Sequence, residues 1–227
     1  MEKLGTEYGG WYIPSLAMLD DSSIIYSAGV GEDISFDLLI SEKYNCNVFL
    51  IDPTEKSKKH YNEVINFYKN NAPFTGNIQN DYYDKISNLH PNLENLFYLD
   101  VGLWDKQGIL KFYKQDNPNY VSQSLIENMF GSNYDVVNVD TIKNIMNRFN
   151  HNHIDLLKLD IEGAEINVLE QMFHDNIYPK YLCVEFDLLL KNKDYDGVTQ
   201  NLISKIINEY GYKILIDDNL NITFERK

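Results

Sequence analysis

The chain has 227 residues, 44% of them hydrophobic and 13% aromatic, enough to bury one sizeable core and rather short for two. Its formal net charge is −14 at pH 7, which disfavours electrostatic capture of DNA, RNA or anionic lipid. No apolar run reaches membrane-span length and no signal-peptide pattern opens the chain, so the expectation is a cytoplasmic protein without a membrane span or a nucleic-acid partner.

The opening MEKLGTEYGG is polar and glycine-rich, and Tyr8, Trp11 and Tyr12 follow one another closely in EYGGWYIP. Residues 1–21 read either as a strap packed on the domain or as a lid over a site. Met1 suits a natural start or the first residue of an excised domain. The folded domain is expected over residues 22–227. Apolar runs at 23–28, 47–51, 96–101, 108–113, 155–159, 181–186, 212–216 and 221–225 predict strands. A helix follows Thr54, a fitting N-cap, with Tyr61, Val64, Ile65 and Tyr68 on one face. A second runs from Gly163 to Phe173, and a third carries Val198, Leu202, Ile206 and Tyr210 to a stop at Gly211. This alternation favours an α/β sheet with helices on both faces, and the last two strands form a hairpin across Asp217–Asn221. Cys46 and Cys183 lie in apolar strand contexts, as buried thiols of a reducing compartment do.

IIYSAGVGEDISFDLLI, residues 24–40, runs from an apolar strand through two glycines into a helical pattern. In a dinucleotide site such a turn receives a pyrophosphate at the helix N-terminus. Here Ile34 replaces the third glycine, and Glu32 and Asp33 would repel a phosphate. S-adenosylmethionine fits better: it has no phosphate, and its sulfonium and ammonium suit neighbouring carboxylates. Gly29 and Gly31 supply the close backbone approach. The next strand ends in IDPT, with Asp52 and Pro53 roughly 20 residues beyond the turn, where an acid accepts from ribose hydroxyls. Asp100, Val101 and Gly102 close the third strand, where an adenine ring would lie. VGLWDKQGILKFY reads as a turn into a short strand, and Ser122 and Ser124 fall in an acceptor-side loop.

HIDLLKLDIEGAEINVLEQM, residues 153–172, resembles the FkbM family of S-adenosylmethionine-dependent methyltransferases. The hallmark D-x-L-K-x-D-x-E-G-x-E followed by V-L is supplied by Asp155, Leu157, Lys158, Asp160, Glu162, Gly163, Glu165, Val168 and Leu169. GVGEDISFD, IDPT, DVGLWDKQG and VNVDTI stand in the family's order. The resemblance implies an α/β, doubly wound, mostly parallel seven-stranded Rossmann-like methyltransferase sheet with a C-terminal antiparallel hairpin. It also implies O-methyl transfer to a sugar hydroxyl of a glycan or glycosylated metabolite, and possible glycosyltransferase domains in the same chain or pathway. Two positions depart from similar sequences. Ser27 stands where many methyltransferases place an acid before the first glycine, leaving the ammonium contact to Glu32 or Asp33. Asp187 stands where a histidine often follows the Glu-aromatic pair of CVEFD.

The cofactor seat is therefore expected to comprise Ser27, Gly29, Val30, Gly31, Glu32, Asp33, Asp52, Pro53, Asp100, Val101 and Gly102. In a doubly wound sheet the strand ends that carry Asp160, Glu185 and Asp187 gather on one rim. Methyl transfer to a hydroxyl needs in-line approach and a base. Asp160 is the expected base, with Glu185 or Asp187 as helper or acceptor-binding group. Lys158, two residues before Asp160 and on the same side of the strand, is expected to pair with an acid and hold it. The same three acids, Asp160, Glu185 and Asp187, are candidate Mg²⁺ ligands. His151 and His153 flank the loop before the hallmark strand, within reach of the rim. His60, His90 and His174 read as surface or helix-end residues. Two other readings compete with glycan methylation: a methyltransferase for a small metabolite, and a non-catalytic binding domain on the same fold. A phosphate-binding dehydrogenase is disfavoured by Ile34 and the two acids.

Overall fold

The computed structural model describes residues 1–73, 81–115, 122–127, 129–190, 194, 196–218 and 221–227. An antiparallel hairpin, β1 (Glu2–Leu4) and β2 (Trp11–Ile13), opens the chain. The first unit of the main sheet is β3 (Ile24–Ala28), α1 (Ser35–Tyr44) and β4 (Asn47–Ile51). Next come α2 (Glu55–Asn70), α3 (Tyr82–Ile86) and β5 (Leu96–Leu99). As its sequence predicts, α2 is capped by the Thr54 side chain, which accepts from Ser57 N.

A small sheet interrupts the alternation. It is built from β6 (Gly102–Leu103), β7 (Gly108–Lys114), β8 (Gln123–Ser124) and β9 (Tyr134–Asp140), in the order β6-β9-β7-β8. The main chain path resumes with α4 (Ile142–Phe149), β10 (Leu156–Leu159), α5 (Glu165–His174) and β11 (Tyr181–Glu185). It ends with α6 (Asp187–Leu190), α7 (Val198–Asn208), β12 (Tyr212–Asp217) and β13 (Asn221–Arg226).

Seven strands form the main sheet in the order β12-β13-β11-β10-β3-β4-β5. β5, β4, β3, β10 and β11 are parallel neighbours, while β13 runs antiparallel to both β11 and β12. This is the expected doubly wound sheet with its antiparallel C-terminal hairpin; residues 219–220 of that hairpin's turn lie outside the described residues. The chain leaves β3 toward one edge and returns to β10 on its other side. The switch point therefore falls between β3 and β10, where ligands seat in such sheets.

Each central strand feeds two cores because its side chains alternate. Tyr26, Ala28, Leu157, Leu159, Leu182 and Val184 pack with α4, α5 and α7. Ile25, Leu156, Tyr181 and Cys183 pack on the other face with α1, α2, α3 and the N-terminal hairpin, whose Leu4, Trp11 and Ile13 are buried there. Both cysteines are buried and free. Among the described residues no helix is long and apolar enough to cross a membrane.

Three local expectations change. The strand expected over 96–101 stops at Leu99, because Val101 N turns back to Leu99 O at 2.9 Å. Strands β1, β2, β6, β8 and β9 and helices α3, α4 and α6 are additional to the predicted set. β9 is exposed at four of its first five positions, so YDVVNVD shows no apolar alternation. His60, read as a surface or helix-end residue, is buried, with Nε2 2.7 Å from the Tyr82 hydroxyl. Burial holds its pKa down to about 4, so it is a neutral core histidine. His90 and His174 are exposed as expected.

Candidate active site

The site begins where β3 and β10 leave the sheet in register, Ala28 opposite Leu159. The next residues, Gly29 and Asp160, are thereby forced against each other. Asp160 N donates to Ala28 O at 3.2 Å, and Gly29 N crosses the other way to Ile51 O at 3.1 Å. Gly29 has φ +76°, and a Cβ there would lie 1.6 Å from the carbonyl oxygen of Asp160. Only glycine fits, and it lets the ends of β3 and β10 close on each other at the edge of the cavity.

Asp52 holds the rest of the turn. Its Oδ2 accepts from Val30 N at 2.9 Å and Gly31 N at 3.0 Å. Its Oδ1 accepts from Thr54 N at 2.8 Å and Thr54 Oγ1 at 2.6 Å. Four donors match the roughly four acceptor sites of a carboxylate. Asp52 thus stands on the cavity wall with its oxygens already engaged by the turn. Asp52→Ala is expected to strand these donors and destabilise the chain by about 3 kcal/mol. A denaturant melt would check the stability, and calorimetry should show at least about tenfold weaker S-adenosylmethionine binding.

The hallmark segment builds the facing wall. Lys158 is buried, and its Nζ donates to Gly29 O at 2.6 Å and Ala28 O at 3.4 Å. Asp160 Oδ2 is 4.0 Å away. The lysine expected to hold an acid therefore holds the glycine turn first and Asp160 second. Beyond Asp160 the chain turns sharply, with Glu162 at φ +56° and Gly163 at φ +100°. Buried Glu165 stabilises this turn: its Oε1 accepts from Ile161 N at 3.0 Å and Gly163 N at 3.1 Å. Ser124 Oγ, from β8, donates to Glu162 O at 2.6 Å. Burial and the nearby Asp187 carboxylate push Glu165 well above the usual carboxylate range.

Between the two walls lies a cavity of about 500 Å³. Of the expected cofactor residues, Gly29, Val30, Gly31, Glu32, Asp33, Asp52, Pro53 and Gly102 line it. Ser27 does not: it is fully buried beneath the turn, beside Asp37 of α1. Val101 is buried in the core, and Asp100 turns outward to an ion pair with Lys58 at 2.7 Å. Neither lines the cavity, because the chain bends at Leu99. Asp33 is on the wall, but its oxygens accept from Thr6 Oγ1 at 2.6 Å and Ser35 N at 2.9 Å. Of the acids Glu32 and Asp33, Glu32 is the one that makes no side-chain hydrogen bond among the described residues.

Lys158, Asp160 and Glu185 line the same cavity. Asp187 approaches from beneath, 1% exposed at the start of α6. One oxygen from each of Asp160, Glu185 and Asp187 falls within 4.8 Å of the others, so the trio grouped as metal ligands does come together. Burial, then the charges of Asp160, Asp187 and Glu162, push Glu185 up to about 8. A proton on Glu185 at neutral pH thus relieves the repulsion that a cation would otherwise relieve. His151 and His153 do not reach the rim: His151 Nδ1 meets the Tyr26 hydroxyl at 2.9 Å, and His153 lies 3.2 Å from Asp155.

Several wall residues lie outside the expected site set. Phe112, Leu103 and Leu125 come from the small sheet and its flank, Glu7 and Tyr8 from the N-terminal hairpin, and Asn221 from β13. Their sequence signals are DVGLWDKQG, which contains Leu103, and the aromatic density around Tyr8, which suits a strap and a lid equally. Trp11 is buried in the core while Tyr8, 66% exposed, stands on the wall.

The model of the FkbM methyltransferase domain matches residues 23–214. No curated protein matches the chain. Similar solved structures include an rRNA methylase from Streptococcus thermophilus, 12% identical over 92% of this chain and 89% of that one, with a TM-score of 0.43. A fibrillarin pre-rRNA processing protein from Methanococcus jannaschii is 13% identical over 95% and 72% of the two chains, at 0.44. TYW2 from M. jannaschii, in complex with AdoMet, is 10% identical over 99% and 86%, at 0.36. Likenesses this remote carry no argument about the acceptor. The family match spans the glycine turn, Asp52, the hallmark turn and Glu185, so the cofactor turn and the wall facing it fall inside it. The chain belongs to the FkbM family of S-adenosylmethionine-dependent methyltransferases.

Proposed function

We propose that this chain methylates a sugar hydroxyl, with Asp160 receiving the hydroxyl proton. The observation that supports this most is the contact of Gly29 with Asp160, which joins the cofactor cradle and the candidate base at one wall. The residues suit S-adenosylmethionine. Gly29 lets the two strand ends close on each other at the cavity edge, and Glu32 and Asp160 offer carboxylates to a cation. When bound, the cofactor supplies an electrophilic methyl group on a positively charged sulfur.

The chain's own residues do the rest. Lys158 fixes the Gly29 carbonyl and stands beside Asp160, which keeps the base against the cradle. Asp160 accepts the proton that the hydroxyl loses. Glu185, protonated below about pH 8, donates a hydrogen bond to the acceptor and adds no charge beside the base. Phe112, Leu103 and Leu125 wall the cavity with apolar surface that excludes water. A carbohydrate acceptor fits this mixture of carboxylates and apolar wall, whereas a nucleic acid is repelled by the rim and by the net charge of −14. The two free, buried cysteines suit a reducing compartment.

Incubation with methyl-labelled cofactor and a panel of oligosaccharides, followed by linkage analysis, should reveal an O-methyl ether. Labelling of nitrogen or carbon instead would overturn the reading. The pH profile offers a second check. As pH rises through about 8, Glu185 loses its proton, the donor disappears and a charge is added. The kcat/KM of the wild type should therefore fall above that pH. Glu185→Gln keeps the neutral donor, so the alkaline fall should vanish while the rate at pH 7 stays within about fivefold.

A further inference from the structure

We infer that the N-terminal strap completes the acceptor site, and that Tyr8 with the acidic rim forms a subsite for an amino sugar. This rests on the cavity being the methyl-transfer site. The family match begins at residue 23, so it gives residues 1–22 no role.

The strap is locked to the cofactor turn at two places. On one side, Thr6 Oγ1 donates to Asp33 at 2.6 Å and Thr6 N donates to Ser35 Oγ at 2.9 Å. Gly9 N returns to Thr6 Oγ1 at 2.9 Å, and Gly10 N to Thr6 O at 3.1 Å. A Cβ on Gly9 would lie 2.6 Å from Asp33 Cγ, and one on Gly10 would lie 2.3 Å from Thr6 O. Both glycines are therefore needed for the close approach. On the other side, the buried Trp11 ring lies 5.9 Å from Lys158 Nζ, the amine that holds Gly29 O.

Tyr8 sits between these two anchors. Its ring is exposed, although the strap around it is pinned, so packing does not account for its position. The hydroxyl stands in the field of Asp160, Glu162, Glu185 and Asp33; partial burial and these charges raise its pKa and keep it a hydrogen-bond donor. One opening thus offers an aromatic face and a group of carboxylates, and among the described residues the cavity's lysines are Lys3 and Lys158, the latter committed to backbone carbonyls. A sugar's C–H face stacks on such a ring, and an ammonium on the same sugar is held by the carboxylates and the ring together. N-acetylation removes that charge and leaves only stacking. A phosphate group is repelled.

The test is calorimetry on the full chain loaded with S-adenosylhomocysteine, using three forms of one oligosaccharide: glucosamine, N-acetylglucosamine and 6-phosphorylated N-acetylglucosamine oligomers. The amino form should bind at least about tenfold tighter than the acetylated form at low salt, with the gap closing at 1 M salt. The phosphorylated form should not bind. Glu162→Gln should narrow the gap several-fold. Tyr8→Ala should weaken both binding forms, and Tyr8→Phe should restore them; Tyr8 is exposed enough that neither change endangers folding. Equal affinity for the amino and acetylated forms, tighter binding of the phosphorylated one, or binding of none by loaded protein would overturn the inference. A wild-type chain that binds neither S-adenosylmethionine nor S-adenosylhomocysteine would instead overturn the reading beneath it.

Discussion

Gly29→Ala is expected to abolish cofactor binding and to unfold the chain in part. The added carbon would lie 1.6 Å from the Asp160 carbonyl oxygen and 2.6 Å from its carbonyl carbon. Neither atom has room to yield. Asp160 N is bonded to Ala28 O, and the Lys158 amine of β10 holds the Ala28 and Gly29 carbonyls at the end of β3. The cost is a parted β3–β10 switch point, on the order of 4 kcal/mol or more. Gly31→Ala supplies the contrast. Gly31 also has positive φ, +57°, but a Cβ there meets nothing within 4 Å. Only backbone strain of about 1 kcal/mol applies, so this variant should fold and bind the cofactor within about tenfold of wild type. Thermal melts and calorimetry on the pair would separate the two effects. Wild-type cofactor affinity in Gly29→Ala would refute the proposed cradle.

Asp160→Asn should remove methyl transfer while leaving the fold and the cofactor site in place. The amide keeps the size of the carboxylate and changes neither the backbone bond to Ala28 nor the Lys158 contact with Gly29. It cannot accept the hydroxyl proton, so a loss of about 10³ in kcat is expected. The affinity for S-adenosylmethionine should change by less than about tenfold, since the Glu32 carboxylate still faces the cavity. Single-turnover assays with saturating cofactor would show the split. A variant with more than a tenth of wild-type kcat would move the proton acceptor elsewhere.

Much of the architecture is legible in the residues because the central strands are buried on both faces. IIYSA, NVFLI, LLKL and YLCVE are short apolar runs with single polar interruptions, and each turns out to be a strand of the main sheet. β8 and β9 give no such signal. They belong to a small sheet with an exposed outer face, where Ile109, Tyr134 and Val136 meet solvent, so no alternation marks them. The cofactor turn was legible for a local reason: Gly29, Gly31 and Asp52 carry their spacing in the chain. Asp100 was misleading for a local reason too. It follows the third strand in the right place, but the bend at Leu99 sends its carboxylate to Lys58.

What the sequence determined, then, is what depends on near neighbours: the strand-turn-helix of the cofactor seat, the hallmark turn, and an acidic, α/β, methyltransferase character. What tertiary structure alone decided is which groups share a wall. Gly29 and Asp160 are 131 positions apart and meet because β3 and β10 pair in register. Asp33 has its oxygens taken by Thr6 and Ser35, and Asp52 has its own taken by the turn, so neither carboxylate's role follows from its type. Glu185 owes its proton to burial and to acids from other segments. Tyr8, in a stretch that could be strap or lid, reaches the rim because a hydroxyl and two glycines bind its loop to the cofactor turn. Contacts across such distances depend on strand order and register, which no local spacing encodes.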